Sequence, residues 1–475
     1  MPPSPYNEIP YETSARFETH PDRLAAVGRL YGMEPAPVER CRYLEIGCGN
    51  GANVIALAYL LPGSRVVGVD NAEVPIAAGE RMRAELDIGN LALRACDLRS
   101  IGAESGEFDY IVAHGVYSWV PAEVRDALLR VCRERLAPNG IAFVSYNTLP
   151  GRHLTRYLRD LMLFHARDTQ DTARRLEQAR WSLQYLARSP RLPAAWRPLL
   201  ESDIAALLKV GDAWLFHDDF AEIDDPVYFH EFAAHAGRHG LQYLGDADPP
   251  EMFDPEGLLK PVPGGLIERE QYMDFLKARR FRQSLLCHQD ASLERRPVED
   301  CVERFLYSSL CHTLEDGKIE GMRHVRITPV HDATRNVAAA LGEVYPLPLT
   351  FEELIPYAGN ERDLRSVLAG MVLGGFADFH VYPFPCQETL SARPSASRLA
   401  RRQALDSRLV TNACFRVVEL DEVARHLLQL LDGTRTHPQI VQDLARIPGA
   451  PPLEQIEQYL PASLEWLARA ILLES

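Results

Sequence analysis

One stretch, YLEIGCGNGANVIALAYLLPGSRVVGVD (residues 43–70), constrains the fold of this 475-residue chain more than any other. It predicts a strand, a glycine turn, a helix from about Ala52 and a second strand that ends in Asp70. Gly47 and Gly49 allow the backbone to turn tightly and to approach a ligand that a Cβ would keep away. The first amides of the helix point at the same place. Such a unit binds nucleotide-containing cofactors at the edge of a parallel sheet.

The segment from residue 41 to about 150 continues this alternation of apolar strands and helical patterns, with turn sequences LPGS, DIGN and APNG between them. Five strands are predicted, at 42–46, 65–69, 91–95, 108–112 and 140–146. A helix is predicted before them, at 21–32. The pattern indicates an α/β, Rossmann-like core with an open parallel sheet and helices on both faces.

Four further segments follow this core, which we place at 1–150. Residues 151–215 have apolar positions at helical spacing and predict a helical cap or dimerisation segment. Residues 216–300 and 301–395 predict two mixed domains. Residues 396–475, which begin within the linker-like run SARPSASRLARRQ, carry a helix-turn-helix-like pattern that is consistent with a winged-helix fold.

Composition narrows the class of protein. A hydrophobic content of 46% and a charged content of 25% are typical of globular chains. The net charge of −15 argues against nucleic acid as the main partner. The nine cysteines show neither a C-x-x-C pair nor a metal-ligand spacing, which indicates reduced thiols. Because neither a signal peptide nor an apolar run of membrane-spanning length is recognisable, we expect a soluble, cytoplasmic protein that does not bind membranes.

The glycine turn by itself is compatible with two cofactors. GCGNGA fits a dinucleotide fingerprint through Gly47, Gly49 and Ala52. It fits equally the E-x-G-x-G-x-G turn of S-adenosylmethionine (SAM) enzymes, through Glu45, Gly47, Gly49 and Gly51. Residues outside the turn must therefore decide between hydride and methyl chemistry.

Acidic residues at the ends of the first three strands favour SAM. Glu45 lies two residues before the first glycine, where NAD enzymes usually carry an apolar residue. Asp70 is expected to bind both ribose hydroxyls and Asp97 the adenine amino group, while the glycine turn holds the methionine moiety. No tyrosine lies four residues before any of the four lysines, so the Y-x-x-x-K pair of dehydrogenases is absent. Four neighbouring residues complete the predicted site for SAM and its product S-adenosylhomocysteine: Cys48, Asn71, Leu98 and His114.

Longer runs resemble class I SAM-dependent methyltransferases that carry a methyltransferase regulatory domain. In the first 151 residues these are YNEIPYETSARFETHPDRLAAVGRLYGMEPAPVERCRYLEIGCGNG, HGVYSWVP and SYNTLPG. YFHEFAAHAGRHGLQYLGDA and REQYMDFLKARRFRQSLLCH resemble the regulatory domain, which we place at 216–300, and ARHLLQLLDGTRTHPQIVQDL resembles a winged-helix tail. The family includes bacterial protein-lysine methyltransferases, among them those that methylate a rickettsial outer-membrane protein.

The resemblance implies further features of the chain. Helical dimerisation elements are typical of the family, so a homodimer is expected. Tyr11, Phe17 and His20 are expected to fold over the cofactor as a lid, the alternative being that they only anchor a surface segment.

The loops after the fourth and fifth strands are where acceptor-binding groups are expected. They carry His114, Tyr117, Ser118, Trp119, Tyr146 and Asn147. Tyr117, Trp119 and Tyr146 are predicted to form an aromatic pocket, in which desolvation and cation–π contact would suit a lysine amine. The alternative is that these rings pack against the cap helices. His114 is interpreted as a base or a hydrogen-bond partner of SAM, with a purely structural role as the alternative.

The histidines of the predicted regulatory domain do not match a metal motif. His235 and His239 are four residues apart on a predicted helix. His230-Glu231 precedes His235 by one residue too many for H-E-x-x-H. We therefore expect a solvated or partly packed helix face and no metal.

The sequence thus predicts a SAM-dependent methyltransferase that N-methylates a protein lysine side chain. Two alternatives remain, a methyltransferase of a small metabolite or natural product and a SAM-binding regulatory protein without turnover. The expected partner is a protein or peptide, or else a small molecule, and neither nucleic acid nor a membrane.

Overall fold

The structure is a computed structural model that describes residues 13–252, 254, 257–321, 325–329, 331–385, 391–447 and 449–474. Tyr11, one of the predicted lid residues, lies outside these ranges. The strands are β1 Arg42–Ile46, β2 Arg65–Asp70, β3 Leu91–Ala95, β4 Phe108–Ala113, β5 Leu136–Leu149, β6 Val227–Tyr228, β7 Leu241–Asp246, β8 Phe281–His288, β9 Leu306–Ser308, β10 His312–Thr313, β11 Ile319–Glu320, β12 Arg326–Ile327, β13 Leu349–Thr350, β14 Asp378–His380, β15 Leu409–Thr411 and β16 Val417–Glu419.

The helices are α1 Pro21–Leu30, α2 Ala52–Leu60, α3 Glu73–Glu85, α4 Ala122–Arg135, α5 Arg152–Ala166, α6 Thr172–Arg188, α7 Arg197–Lys209, α8 Asp212–Trp214, α9 Phe229–Arg238, α10 Leu266–Lys277, α11 Asp332–Val344, α12 Phe351–Ala358, α13 Glu361–Leu373, α14 Arg398–Asp406, α15 Glu422–Leu430, α16 His437–Leu444 and α17 Leu453–Arg469. Short 3₁₀ turns at Phe17–Thr19, Leu98–Ser100 and Tyr117–Trp119 contribute to the site described below. Within the described ranges, every helix is too short or too polar to traverse a lipid bilayer.

The main sheet has the strand order β3-β2-β1-β4-β5-β8-β7, and the short β6 pairs with the end of β5. β1 to β5 are parallel to one another, so the predicted parallel core is confirmed. Successive residues enter apolar clusters on opposite faces, Tyr43 on one and Leu44 on the other, which is why these strands read as continuous apolar runs. The predicted APNG turn is instead a bulge at the start of β5, where the register against β4 shifts.

The segment 216–300, expected to be a mixed domain, supplies the last two strands of the same sheet. β8 pairs antiparallel with β5, and β7 pairs antiparallel with β8. Arg282 of β8 is fully buried and binds Glu270 and Asp274 of α10 at 2.9 and 2.8 Å. The pairing of β8 with β5 covers an edge of β5 that would otherwise expose unpaired backbone groups. The segment is therefore continuous with the Rossmann-like core rather than appended to it.

The segment 151–215 is helical, as predicted. α5, α6 and α7 pack around an apolar cluster of their own, which includes Leu158, Leu183 and Leu200. Large aromatic side chains stay exposed on these helices: Phe164, Trp181, Tyr185 and Trp196. A role in dimerisation remains a prediction.

Two smaller units follow. β9, β13 and β14 form an antiparallel sheet against which α11 and α12 pack. The C-terminal part combines α14 to α17 with the hairpin β15–β16 around an apolar cluster that includes Leu427, Ile440 and Leu464. Helices packed with a two-stranded hairpin fit the predicted winged-helix fold.

A buried carboxylate joins α1 to the middle unit. Asp22, in the first turn of α1, accepts hydrogen bonds from the N–H groups of Val381 (2.7 Å) and Tyr382 (3.0 Å). Nδ1 of His380 donates to the same carboxylate at 2.7 Å. Asp22 and His380 are both buried. These contacts fix α1 against the end of β14.

A second carboxylate extends this connection to the C-terminal part. Asp378 of β14 pairs with Arg23 of α1 and with Arg416, whose Nη2 lies at 2.5 Å. The two guanidinium groups lie 5.2 and 3.4 Å from the ring centre of Phe17. His20 is also buried, and burial lowers its pKa to about 4. Phe17 and His20, the described members of the predicted lid, are thus interior anchors of the chain that precedes α1.

Replacing Asp22 should destabilise the whole molecule. Asp22→Ala leaves the buried His380 and two half-buried backbone N–H groups without their acceptor, at a cost of ~3–5 kcal/mol. We expect a clearly lower melting temperature by circular dichroism. Glu34→Ala, which removes an exposed carboxylate just after α1, should change it little. Equal melting temperatures for the two variants would contradict the structural role of Asp22.

Candidate active site

The glycine turn, residues 47–51, connects β1 to α2 at the carboxyl edge of the sheet. Gly47, Gly49 and Gly51 have φ values of +76°, +56° and +75°, a region that side chains disfavour. A Cβ on Gly47 would lie 2.5 Å from Cγ2 of Val116. The loop after β4 therefore lies directly against the turn. The first amides of α2 face the same edge, which gives the site the predicted cradle.

Asp70 ends β2 beside the glycine turn. Its Oδ2 accepts a hydrogen bond from the Gly49 N–H at 2.8 Å, and its Oδ1 accepts one from the Ala72 N–H at 2.9 Å. Burial raises the pKa of Asp70, while these backbone donors oppose the rise. A carboxylate has about four acceptor positions, so each oxygen can still accept from a ligand hydroxyl. This arrangement suits a ribose diol.

Glu45 lies beneath the turn and is buried. Its Oε2 accepts a hydrogen bond from Nδ2 of Asn53 at 2.8 Å. Oδ1 of Asn53 accepts from the backbone N–H of Arg16 at 2.8 Å, and Nδ2 of Asn53 also donates to Oγ1 of Thr19 at 3.1 Å. Burial raises the pKa of Glu45 to about 7. Through Asn53, Glu45 holds residues 16–19, which we call the N-terminal segment, against the cofactor cradle.

Asp97 follows β3, as predicted, but its carboxylate already has a partner. Nε and Nη2 of Arg99 donate to it at 3.0 and 2.6 Å, and the Arg99 backbone N–H at 2.8 Å. These hydrogen bonds lower the pKa of Asp97. An adenine amino group would share the carboxylate with Arg99, and the adenine role of Asp97 remains a prediction.

Three other predicted cofactor residues lie in the glycine turn, after β2 and after β3. Cys48 is buried behind the turn, where burial raises the pKa of its thiol well above the usual value. Its sulfur would lie 2.9 Å from a Cβ on Gly68, so Cys48 fills space rather than acting as a nucleophile. Asn71 is exposed beside Asp70, and Leu98 is partly exposed beyond β3.

His114 follows the last residue of β4. Its ring is nearly parallel to that of Phe143 at 5.9 Å and lies 6.0 Å from that of Phe281. Nε2 of His114 is 4.0 Å from Oε1 of Glu18. Burial, followed by the charge of Arg16, lowers the pKa of His114 to about 3. The imidazole is therefore neutral near pH 7 and can accept a hydrogen bond.

Tyr117 and Tyr146 do not line an open pocket in this structure. Both are buried and pack on Phe232 of α9, with ring centres 5.2 and 4.1 Å away. The Tyr117 hydroxyl pairs with Nδ1 of His235 at 2.8 Å, and the Tyr146 hydroxyl with Oγ of Ser284 at 3.0 Å. The rings pack the core between the sheet and the 216–300 segment, a structural role in which α9 takes the place of the cap helices named in the alternative.

The remaining predicted acceptor residues occupy different environments. Ser118 is buried, and its Oγ accepts a hydrogen bond from the Asn147 N–H at 2.8 Å. Nδ2 of Asn147 donates to Asp224 at 2.8 Å. Trp119 is partly exposed and is the one ring of the predicted aromatic pocket that reaches the surface. Trp119 thus differs in exposure from Tyr117 and Tyr146, both of which are buried.

Sequence reasoning missed three residues of the site. Asn53 lies in the first turn of α2 and looks like any polar helix residue until its contacts are seen. Glu18 lies within the run quoted for the family resemblance, yet nothing in its spacing connects it with His114. Phe281 reaches the site only because β8 pairs with β5. Contacts between distant parts of the chain create all three positions.

The chain matches three protein families and a solved structure that covers nearly its whole length. Residues 44–142 match the family described as "Methyltransferase domain", residues 211–288 "Predicted methyltransferase regulatory domain" and residues 392–447 "PKMT, C-terminal winged helix domain". PKMT2 from Rickettsia typhi, for which one structure is a complex with AdoHcy, superposes with a TM-score of 0.85 at 27% identity. That match covers 98% of this chain and 100% of the other. The chain belongs to the SAM-dependent methyltransferases with a regulatory domain.

Two relatives of this methyltransferase are uncharacterized proteins of Rickettsia prowazekii. RP789 is 37% identical over 312 residues, a match that covers 64% of this chain and 56% of the relative. RP028 is 35% identical over 240 residues, covering 50% of this chain and 96% of the relative. The match to RP789 thus spans little more than half of that protein.

The cofactor of the methyltransferase is SAM, and the NAD interpretation is set aside. The residues present fit SAM because the glycine turn leaves room for close approach and Asp70 presents oxygens to a ribose. SAM carries a reactive methyl group on a sulfonium. The positive charge of that group suits the edge of the sheet at which Asp70 places a carboxyl group.

Loss of the Asp70 carboxylate should weaken cofactor binding strongly. Charge-assisted hydrogen bonds are worth ~1.5–3 kcal/mol each, so two to a ribose predict an affinity loss of about 100-fold or more for Asp70→Ala. Isothermal titration calorimetry with SAM measures this. Glu73→Ala, an exposed carboxylate three residues further on, is the matched control. If Asp70→Ala bound SAM as wild type does, the cofactor placement would be wrong.

Glu45 should make stability depend on pH. Its pKa rises from 4.5 to about 7 on folding, so the folded state holds the proton more tightly than the unfolded state. The stability that the protonated group contributes is complete below pH 4.5 and lost as pH rises through 7, by ~3 kcal/mol. Glu45→Gln, which cannot ionise, should therefore gain stability relative to wild type between pH 5 and pH 8. If the melting temperatures of wild type and Glu45→Gln changed with pH in the same way across this range, the raised pKa of Glu45 would be wrong.

Proposed function

We propose that this methyltransferase transfers the methyl group of SAM to the side-chain amine of a lysine in a protein. The observation that carries the proposal is the similarity over 98% of the chain to PKMT2 of Rickettsia typhi, a structure also determined with AdoHcy. The match of the C-terminal part to a PKMT winged-helix domain supports it. Both agree with the resemblance of the sequence to protein-lysine methyltransferases.

The acceptor is proposed to enter between Glu18, His114 and Phe281. The side chain of Glu18 is 31% exposed and that of His114 17%, so both are open to a ligand. Phe281 is 39% exposed and offers a ring face to a cation. The loop after β4, which follows His114, packs against the glycine turn. A lysine side chain placed here would meet one carboxylate, one neutral imidazole and one aromatic ring beside the cofactor cradle.

The chemistry requires the amine to lose a proton before its nitrogen attacks the methyl carbon and the carbon–sulfur bond breaks. Free lysine titrates near 10.4, and burial among rings lowers that pKa. His114 can accept a hydrogen bond from the amine and orient its lone pair. Because its own pKa is about 3, His114 does not keep the proton, which leaves to solvent. The residues contribute position and desolvation more than acid–base power.

A labelling experiment tests the proposal against its alternatives. The protein is incubated with methyl-labelled SAM and lysate, and the label is measured separately in protein and in small molecules. We expect label in protein, together with S-adenosylhomocysteine, and none of either with Asp70→Ala. Label confined to small molecules would favour a metabolite methyltransferase. SAM binding without any S-adenosylhomocysteine would favour a regulatory protein without turnover.

The Glu18 carboxylate should matter for the acceptor and not for the cofactor. Glu18→Gln keeps the shape and removes the charge, so kcat/KM for the protein acceptor should fall about tenfold, equivalent to ~1.4 kcal/mol. The dissociation constant of SAM, measured by calorimetry, should stay nearly unchanged. Glu34→Gln, at an exposed position, is the control for loss of a surface charge. An unchanged kcat/KM in Glu18→Gln would remove Glu18 from the acceptor site.

A further inference from the structure

A second cluster of ionisable side chains lies away from the cofactor cradle, between α4 and α9. Nε2 of His235 and Nε2 of His239 lie 2.9 and 3.1 Å from the same oxygen, Oδ1 of Asp126. His235 lies in α9. His239 is the first residue after α9 and lies one helical turn from His235. Asp126 is in α4, so the cluster joins two elements that are distant in the sequence.

The donor set matches the preference of a divalent transition metal. Two imidazole nitrogens and one carboxylate oxygen are ordinary ligands of Zn²⁺, which commonly takes three protein ligands and a water. One ligand atom from each of the three residues lies within 4.8 Å of the other two. Tetrahedral coordination with bonds of ~2.0–2.1 Å needs ligand atoms about 3.3 Å apart. Small side-chain rotations would therefore create the site.

Tyr117 gives this cluster the second layer that metal sites use. Its hydroxyl pairs with Nδ1 of His235 at 2.8 Å. When His235 binds a metal, its Nδ1 would carry the proton and donate a hydrogen bond to the Tyr117 oxygen. The lone pair of Nε2 is then free for the ion. Without metal, the opposite tautomer allows Nε2–H to donate to Asp126. The imidazole of His235 can therefore keep its position with and without the metal.

The cluster is also accessible to an ion from solvent. The side chain of Asp126 is 64% exposed, while His235 and His239 are 11% and 18% exposed. The carboxylate can thus exchange water for metal without disturbing the packed core, and the histidines are held in place beneath it. The spacing of residues within one helix predicts no metal here, because the third ligand, Asp126, lies in another helix, α4.

We propose that Asp126, His235 and His239 bind one Zn²⁺-class ion, with water as a fourth ligand. The ion ties α9 of the 216–300 segment to α4, which follows the loop that carries Tyr117 and Trp119. It is a structural clamp and takes no part in methyl transfer.

The test measures Zn²⁺ binding to the full-length chain, free of any histidine tag, by competition with a chromophoric chelator. Wild type should bind one equivalent. Asp126→Ala and His239→Ala should each weaken binding more than about tenfold, and Tyr117→Phe, which keeps the ring but loses the hydroxyl, about tenfold. His230→Ala is the matched control, because His230 is in the same helix and contacts Gln271 instead. It should bind Zn²⁺ as wild type does.

Two further readouts separate the site from misfolding and from incidental histidine chelation. Metal-free variants should keep the wild-type circular dichroism spectrum and SAM affinity. Co²⁺ in wild type should give the intense visible absorption of a tetrahedral complex, lost in Asp126→Ala. Absence of stoichiometric binding, or equal affinity in wild type and Asp126→Ala, would overturn the proposal. A loss of Zn²⁺ affinity in His230→Ala equal to that in Asp126→Ala would also overturn it.

Discussion

The buried carboxylate of Asp22 determines where the chain that leads into α1 can lie, and the site depends on that placement. Asp22 holds α1 to the end of β14, while Asp378 draws Arg23 and Arg416 together around Phe17. The residues just before α1 are then held on their other side by Asn53. Neither contact alone would place them, because each fixes one side of the segment.

This double attachment explains why accessory parts of the chain matter for a site in the core. Asn53 is itself positioned by Glu45 beneath the glycine turn. Glu18, between the two attachment points, consequently lies near His114 at the carboxyl edge of the sheet. Charged groups removed from water interact more strongly than exposed ones, so the buried contacts define the geometry. The half-buried carboxylate of Glu18 accepts one hydrogen bond, from Nε2 of Gln283 at 3.4 Å, and keeps further acceptor positions for a ligand.

Local patterns were sufficient to predict the parallel core. The strands β1 to β5 follow from continuous apolar runs between turn sequences, and the cradle follows from Gly47, Gly49 and Asp70 within one short stretch. β7 and β8 could not be assigned to that sheet, because their pairing with β5 is a contact between distant segments. The same limit applies to Tyr117 and Tyr146, whose sequence position suggests a pocket but whose packing on Phe232 makes them core residues.

Transfer of the methyl group to a lysine side-chain nitrogen is the step that we propose for this enzyme. The most direct measurement is tandem mass spectrometry of a protein that the methyltransferase has labelled with isotopic SAM, which assigns the label to one side chain. We expect label on the terminal nitrogen of lysine. Label on a carboxylate, a guanidinium or a sulfur would contradict it.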